Sequence, residues 1–188
     1  MNSVETAKQL IEAERDNLLE LVGTRLVSTW VVWNLEYGGW VNWRPVVLVF
    51  ENRTLSLDWF FHFAGELHYQ WTPFDPASPA FEVNSSRNPR MEWRKDRLPE
   101  LRSVLGQEVK RVWVGEYVEV LHHPCRILGF HHRNRNFHFD SISFELEHGW
   151  LSVINSGDEN ALLARGPNDK LSRRTDVVSG DIFDSTGI

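Results

Sequence analysis

Five of the eight histidines, His122, His123, His131, His132 and His138, fall in one stretch of the second half of the chain. Neutral imidazole binds zinc, iron, copper or nickel. His131 and His138 on neighbouring strands, with Asp140 or Glu145 completing the set, would form a metal site. Two features oppose this. The stretch lacks a fixed ligand spacing such as His-x-Glu-x-x-His, and adjacent histidines on a strand point to opposite faces. Arg133 and Arg135 lie in the same segment and would repel a cation. The plainer reading is a polar hairpin turning at Arg-Asn-Arg-Asn, with no cofactor.

Other catalytic patterns are thin. Cys125 is the only cysteine, which excludes an intramolecular disulfide and a cysteine-based zinc site. It follows Pro124 among His and Arg residues that would favour a thiolate, but a lone cysteine more often packs as a small hydrophobe. There is no Gly-x-Ser-x-Gly turn, no phosphate-binding glycine loop and no paired-carboxylate motif. A histidine-bearing β protein built of two halves invites comparison with cupins. The first half, however, has no Gly-flanked His-x-His followed by Glu.

The aromatic residues are more telling. Nine tryptophans and eleven phenylalanines in 188 residues favour pleated, half-buried surfaces. Tyr37, Trp40 and Trp43 flank a glycine turn, and Tyr and Trp on a rigid hairpin make good binding anchors. Their alternative role is to bury against the second half. The run from Asp58 to Trp71, with Phe60, Phe61, His62, Phe63 and His68, carries the same ambiguity. A formal net charge of −6 argues against nonspecific binding to nucleic acid or an anionic membrane and suits a basic protein partner. The acidic N-terminal stretch has the wrong chemistry for a signal peptide, and no apolar run is long enough to span a bilayer. The expected location is the cytoplasm.

The elements that must hold these residues are written twice. Val22 to Val31 reads onto Leu105 to Val114, with Gly23 matching Gly106 and Trp30 matching Trp113. Phe50 to Leu57 reads onto Leu146 to Val153. A duplicated pattern points to two units of one design. The second copy carries an insertion of about thirteen residues between its Trp and its second block, and the histidines lie in or beside it.

The spacing predicts a helix over 3–21, capped by Asn2 or Ser3. Strands follow, with a Gly38-Gly39 turn setting Tyr37 opposite Trp40, Leu35 opposite Asn42 and Trp33 opposite Arg44. A turn at Asn52-Arg53 places Val46, Leu48 and Phe50 on one face with Leu55, Leu57 and Trp59. A turn at His148-Gly149 pairs Leu146 with Leu151, Phe144 with Val153 and Ile142 with Asn155. Residues 73–103 read as an irregular connector with a short helix from Asp96 to Leu105. A further short helix is expected from Ser156 to about Arg165, and a polar tail over 166–188.

The expected fold is mainly β, a single domain over 1–188. Two related antiparallel β units, about 22–72 and 104–163, would pack about a pseudo-twofold axis into a barrel-like or sandwich body, with the N-terminal helix and short helices around it. A repeated Gly…Trp…Glu-Asn/His-x-x-Leu-Ser pattern in a small, acidic, Trp-rich chain resembles uncharacterised bacterial duplicated-β proteins of the toxin-immunity type. The resemblance spans about residues 20–60 and 104–163, and its motifs are structural. It implies a non-catalytic protein-binding module, an inhibitor of a partner protein. Candidate partner contacts are Glu36, Tyr37, Trp40, Trp43, Glu116, Glu119, Asp158 and Glu159, and a homodimer is a further expectation. The alternative is a metal- or small-ligand-binding β-barrel enzyme or sensor built on His122–His138.

Overall fold

The computed structural model describes residues 2–60, 66–71, 73–77, 90–124, 131–156, 160–164 and 172–184. Two antiparallel sheets carry the chain. The first is ordered β1 (Asn2–Val4), β6 (Glu66–Gln70), β5 (Thr54–Phe60), β4 (Val46–Phe50), β2 (Leu26–Asn34), β3 (Gly39–Trp40). In it, β7 (Met91–Lys95) also pairs with β2. The second is ordered β11 (Asn160–Leu163), β10 (Gly149–Asn155), β9 (His131–Leu146), β8 (Val109–Pro124), β12 (Ser172–Asp176), β13 (Ile182–Asp184). Among the described residues neither sheet closes on itself, so the barrel expectation gives way to two open sheets. Their apolar faces share one core, where Phe50 meets Phe144 at 5.4 Å and Trp59 meets Phe139 at 4.8 Å between ring centroids.

The repeated blocks adopt matching registers. Leu26 faces Phe50 and Thr29 faces Leu48, as Val109 faces Leu146 and Val112 faces Phe144. A β-bulge interrupts both pairs at the same place, between Leu26 and Ser28 and between Val109 and Arg111. Leu48 pairs with Leu55 and Phe144 with Leu151, so each unit presents the same alternate residues to the core. Gly23 (φ 84°) and Gly106 (φ 79°) both adopt the left-handed conformation that favours glycine.

Where the units meet, the hydrogen bonds are reciprocal. Gly23 N–H donates to Val109 O (2.9 Å) and Gly106 N–H to Leu26 O (2.7 Å). Val109 N–H donates to Thr24 O (2.8 Å) and Leu26 N–H to Gln107 O (3.1 Å). Glu51 N–H bonds Arg25 O, as Glu147 N–H bonds Glu108 O, and Arg25 and Glu108 form a β-bridge between them.

Several expectations need correction. The helix α1 runs only from Ala7 to Leu19; its cap is Thr6, whose side chain accepts from Gln9 N–H in a capping box, and Asn2–Val4 is a strand instead. The first hairpin pairs Trp33 with Trp40 and Asn34 with Gly39. Its loop starts early because Asn34 Oδ1 accepts from Glu36 N–H (2.8 Å) and Tyr37 N–H (3.1 Å), leaving Gly38 alone at positive φ. In the last hairpin Leu146 pairs with Gly149 and Phe144 with Leu151. That slip of two residues leaves every side chain on its expected face.

Asp96 caps no helix. It takes a positive φ of 47°, and its carboxylate accepts Thr29 N–H; only a 3-10 turn follows, at Pro99–Leu101. The connector contains β7, the expected helix after Ser156 is strand β11 where it is described, and the polar tail supplies β12 and β13. Backbone pairing with β8 orders Ser172–Asp176 without an apolar pattern, and Val177, 1% exposed, anchors the end of that strand in the core.

Candidate functional site

The β2–β3 hairpin and the loop that follows it gather the aromatic candidates. Tyr37 is 84% exposed at the tip and Trp43 is 47% exposed, with Leu35 beside them. Glu36 is exposed at the same tip, whereas Trp40 packs half-buried against the core. The Arg44 guanidinium lies over the Trp43 ring at 4.2 Å, and Arg97, not Arg44, covers Trp33.

The loop is held from the other sheet. Asn160, the first residue of β11, donates through Nδ2 to Asn42 O and Arg44 O, both at 3.0 Å. Its Oδ1 accepts Trp59 N–H (3.2 Å) and its own N–H bonds Asn42 O (2.7 Å). One side chain thus satisfies backbone groups that are left open where β4 begins. Beside it lies Asp58, buried on β5 opposite His68 of β6. Burial raises the Asp58 pKa, opposed by the Asn160 hydrogen bond and by the charges of Arg44 and His68. Burial also lowers the Arg44 pKa, opposed by Asp58. This cluster buttresses the aromatic loop from beneath.

The acidic candidates are not brought to the same place. Glu116 sits on β8, its side chain 14% exposed, near Arg173 and accepting the backbone N–H of Ala7 at the start of α1. Burial raises its pKa, opposed by Arg173 and by that hydrogen bond. It fixes the helix to sheet two. Glu119 falls opposite Asn136 in the β8–β9 ribbon, and Asp158, Glu159 and Cys125 lie outside the described residues.

The histidine segment is not a loop inserted beside the sheet but the extension of β8 and β9 to sixteen residues each. His123 pairs with His132, His122 with Arg133 and Pro124 with His131, so the expected Arg-Asn-Arg-Asn turn is paired strand. His131 and His138 share β9 rather than neighbouring strands. Seven residues of strand separate their backbone positions by about 23 Å. Asp140 falls at the β9 irregularity between Phe139 and Ser141. The metal reading of His131, His138 and Asp140 rests on the His131 side chain, which lies outside the described residues. Among the described residues no group of three His, Cys, Asp or Glu is placed to hold a metal.

A polar network missing from the sequence reading lies at the opposite end of β2. Glu14 of α1 is 7% exposed, and its carboxylate accepts from Tyr69 OH (2.8 Å), Trp71 Nε1 (2.8 Å) and Asn17 Nδ2 (2.5 Å). Burial, then the hydrogen bond and charge of Glu14, push the Tyr69 pKa up to about 12. Arg53 reaches in from the β4–β5 turn, donating to Asn17 Oδ1 (2.8 Å), pairing with Glu20 and lying over Trp71 at 5.3 Å. The available signal was Glu14 standing between Leu10 and Leu18 on the apolar stripe of the helix.

The chain matches no protein-family model, no curated protein and no solved structure. No helix among the described residues is long and apolar enough to cross a membrane.

Proposed function

We propose that this chain is a non-catalytic cytoplasmic protein-binding module of the immunity type, inhibiting a basic partner protein through the tip of its first hairpin. The observation that carries the reading is the pair of exposed rings, Tyr37 and Trp43, on a loop fixed by Asn34 below and Asn160 from the second sheet. Exposed rings of this kind dominate interface energetics when a partner covers them. A loop already held in place loses little entropy on binding. Glu36 at the tip and the net charge of −6 suit a basic partner.

We further propose that the two β units are related by a pseudo-twofold axis passing near the Arg25–Glu108 bridge. The matched bulges and the reciprocal bonds of Gly23 and Gly106 support that relation. On this reading the shared positions are scaffold, and binding belongs to the unshared hairpin tip.

Site-specific photo-crosslinking in the source cell tests the function. A crosslinker at position 37 is expected to trap one protein, and the same group at the exposed Val178 is not. Identical products from both positions, or none from position 37, would overturn the reading.

A further inference from the structure

We infer that the cleft between α1 and the β4–β5 turn is a binding site for an alkyl cation, a guanidinium or ammonium group on an apolar stem. The cleft has a volume of about 590 Å³, inside the ~300–1,000 Å³ span of small-ligand sites. Phe50 lies at its floor, and Trp71 and Pro73 give it an apolar wall. Glu51, Asn52 and Thr54 line the turn side.

The inventory of hydrogen-bonding groups selects the ligand class. Each nitrogen-bearing side chain that lines the cleft already donates within the protein. Trp71 Nε1 and Asn17 Nδ2 donate to Glu14, Asn52 Nδ2 donates to Glu20 O (2.8 Å), and both Arg53 Nη atoms are held, by Asn17 and Glu20. The acceptors are left over. Among the described residues only Oε2 of the Glu51 carboxylate is engaged, accepting Arg25 N–H (3.1 Å). Asn52 Oδ1 and the Thr54 hydroxyl have no hydrogen bond among the described residues.

Charge points the same way. The lining carries one carboxylate, Glu51, and one guanidinium, Arg53, and Glu20 beside the cleft pairs with that guanidinium, so these three groups sum to −1. An acceptor-rich, negative cleft with an indole wall is complementary to a cation whose methylene stem lies along the ring. Arg53 itself shows the mode of binding, one guanidinium resting over Trp71 and held by a carboxylate and an amide. The cleft belongs to the first unit alone. The second-unit counterparts of Asn52, Arg53 and Thr54 are His148, Gly149 and Trp150. The inference is independent of the hairpin reading, because the two surfaces lie at opposite ends of β2.

Nitrogen-edited NMR of the whole protein tests it with N-acetyl-arginine amide, its neutral isostere N-acetyl-citrulline amide, and agmatine. The arginine probe is expected to shift the backbone amides of residues 51–54 and the Trp71 indole N–H, and citrulline is not. Glu51→Gln should weaken the arginine probe about tenfold through loss of a charged acceptor. Thr54→Val supplies a second variant if Glu51→Gln disturbs the turn, with weakening of a few fold. Agmatine binding more tightly than the blocked arginine would assign a free amine as ligand; the reverse order would assign a peptide-borne side chain. Equal binding of citrulline and arginine, unchanged affinity in both variants, or no shifts at these residues would overturn the assignment.

Discussion

The units β2–β4–β5 and β8–β9–β10 use one plan for strand order, register, bulge and glycine, yet differ in everything attached to them. The first carries α1, the Glu14–Arg53 network and the short aromatic hairpin. The second carries the long β8–β9 ribbon and the strands of the C-terminal segment. Packing constraints act equally on both, because a bulge that re-aims one strand must be matched wherever two such strands share a core. The additions are free of that constraint. The comparison therefore separates residues that make the body from residues that give its surfaces their chemistry.

The largest expected effects probe the equivalence itself. Leu55→Ala and Leu151→Ala remove fully buried side chains at matching positions. Each should cost about 2–5 kcal/mol in urea unfolding, and the two should agree to within about 1 kcal/mol. A gap well beyond that would break the claim that the units do the same packing work. Asn160→Ala comes next, at about 2–3 kcal/mol, because it strips partners from Trp59 N–H and from the Asn42 and Arg44 carbonyls. Full stability in that variant would remove the inter-sheet clamp from the account.

Gly23→Ala and Gly106→Ala should each cost about 1–2 kcal/mol, since a Cβ is disfavoured in the left-handed conformation even where space is open. Gly39→Ala, where φ is not positive and space is equally open, serves as the control and should stay within about 0.5 kcal/mol. The smallest effect is electrostatic. The folded-state pKa of Glu116 is raised, so between about 4.3, the unfolded value, and the folded value the native state holds more proton than the unfolded chain. Its contribution to stability thus falls as pH rises through that window. Glu116→Gln should flatten this decline when stability is followed against pH, and an increase of the wild-type contribution with pH would contradict the burial of that carboxylate. Asp58 carries the same sign.

The core faces were readable from alternation because an error of two residues in register preserves them: Phe144 faces the core whether it pairs with Leu151 or with Val153. The duplicated blocks were readable because equal packing tasks select equal residue types. The hairpin loop was not, since Asn34 captures two backbone N–H groups before the Gly-Gly pair is reached. Strand β12 was hidden because Ser172–Asp176 is ordered by main-chain bonds to β8, which leave little mark on side-chain pattern. Glu116 looked like surface charge in the sequence and is tied to the N-terminus of α1 by folding. Glu14 and Asn160 act through partners distant in the chain, Tyr69 for one and Asn42 for the other, and no local spacing announces such pairs.

The most direct test of the account is a calorimetric titration of the protein trapped at position 37 against wild type, the Tyr37→Ala/Trp43→Ala double variant, and Val178→Ala. The double variant is expected to lose affinity at least tenfold with unchanged thermal stability, and Val178→Ala to stay within about twofold of wild type. Equal affinity for all three proteins would contradict the claim that binding resides in the hairpin tip.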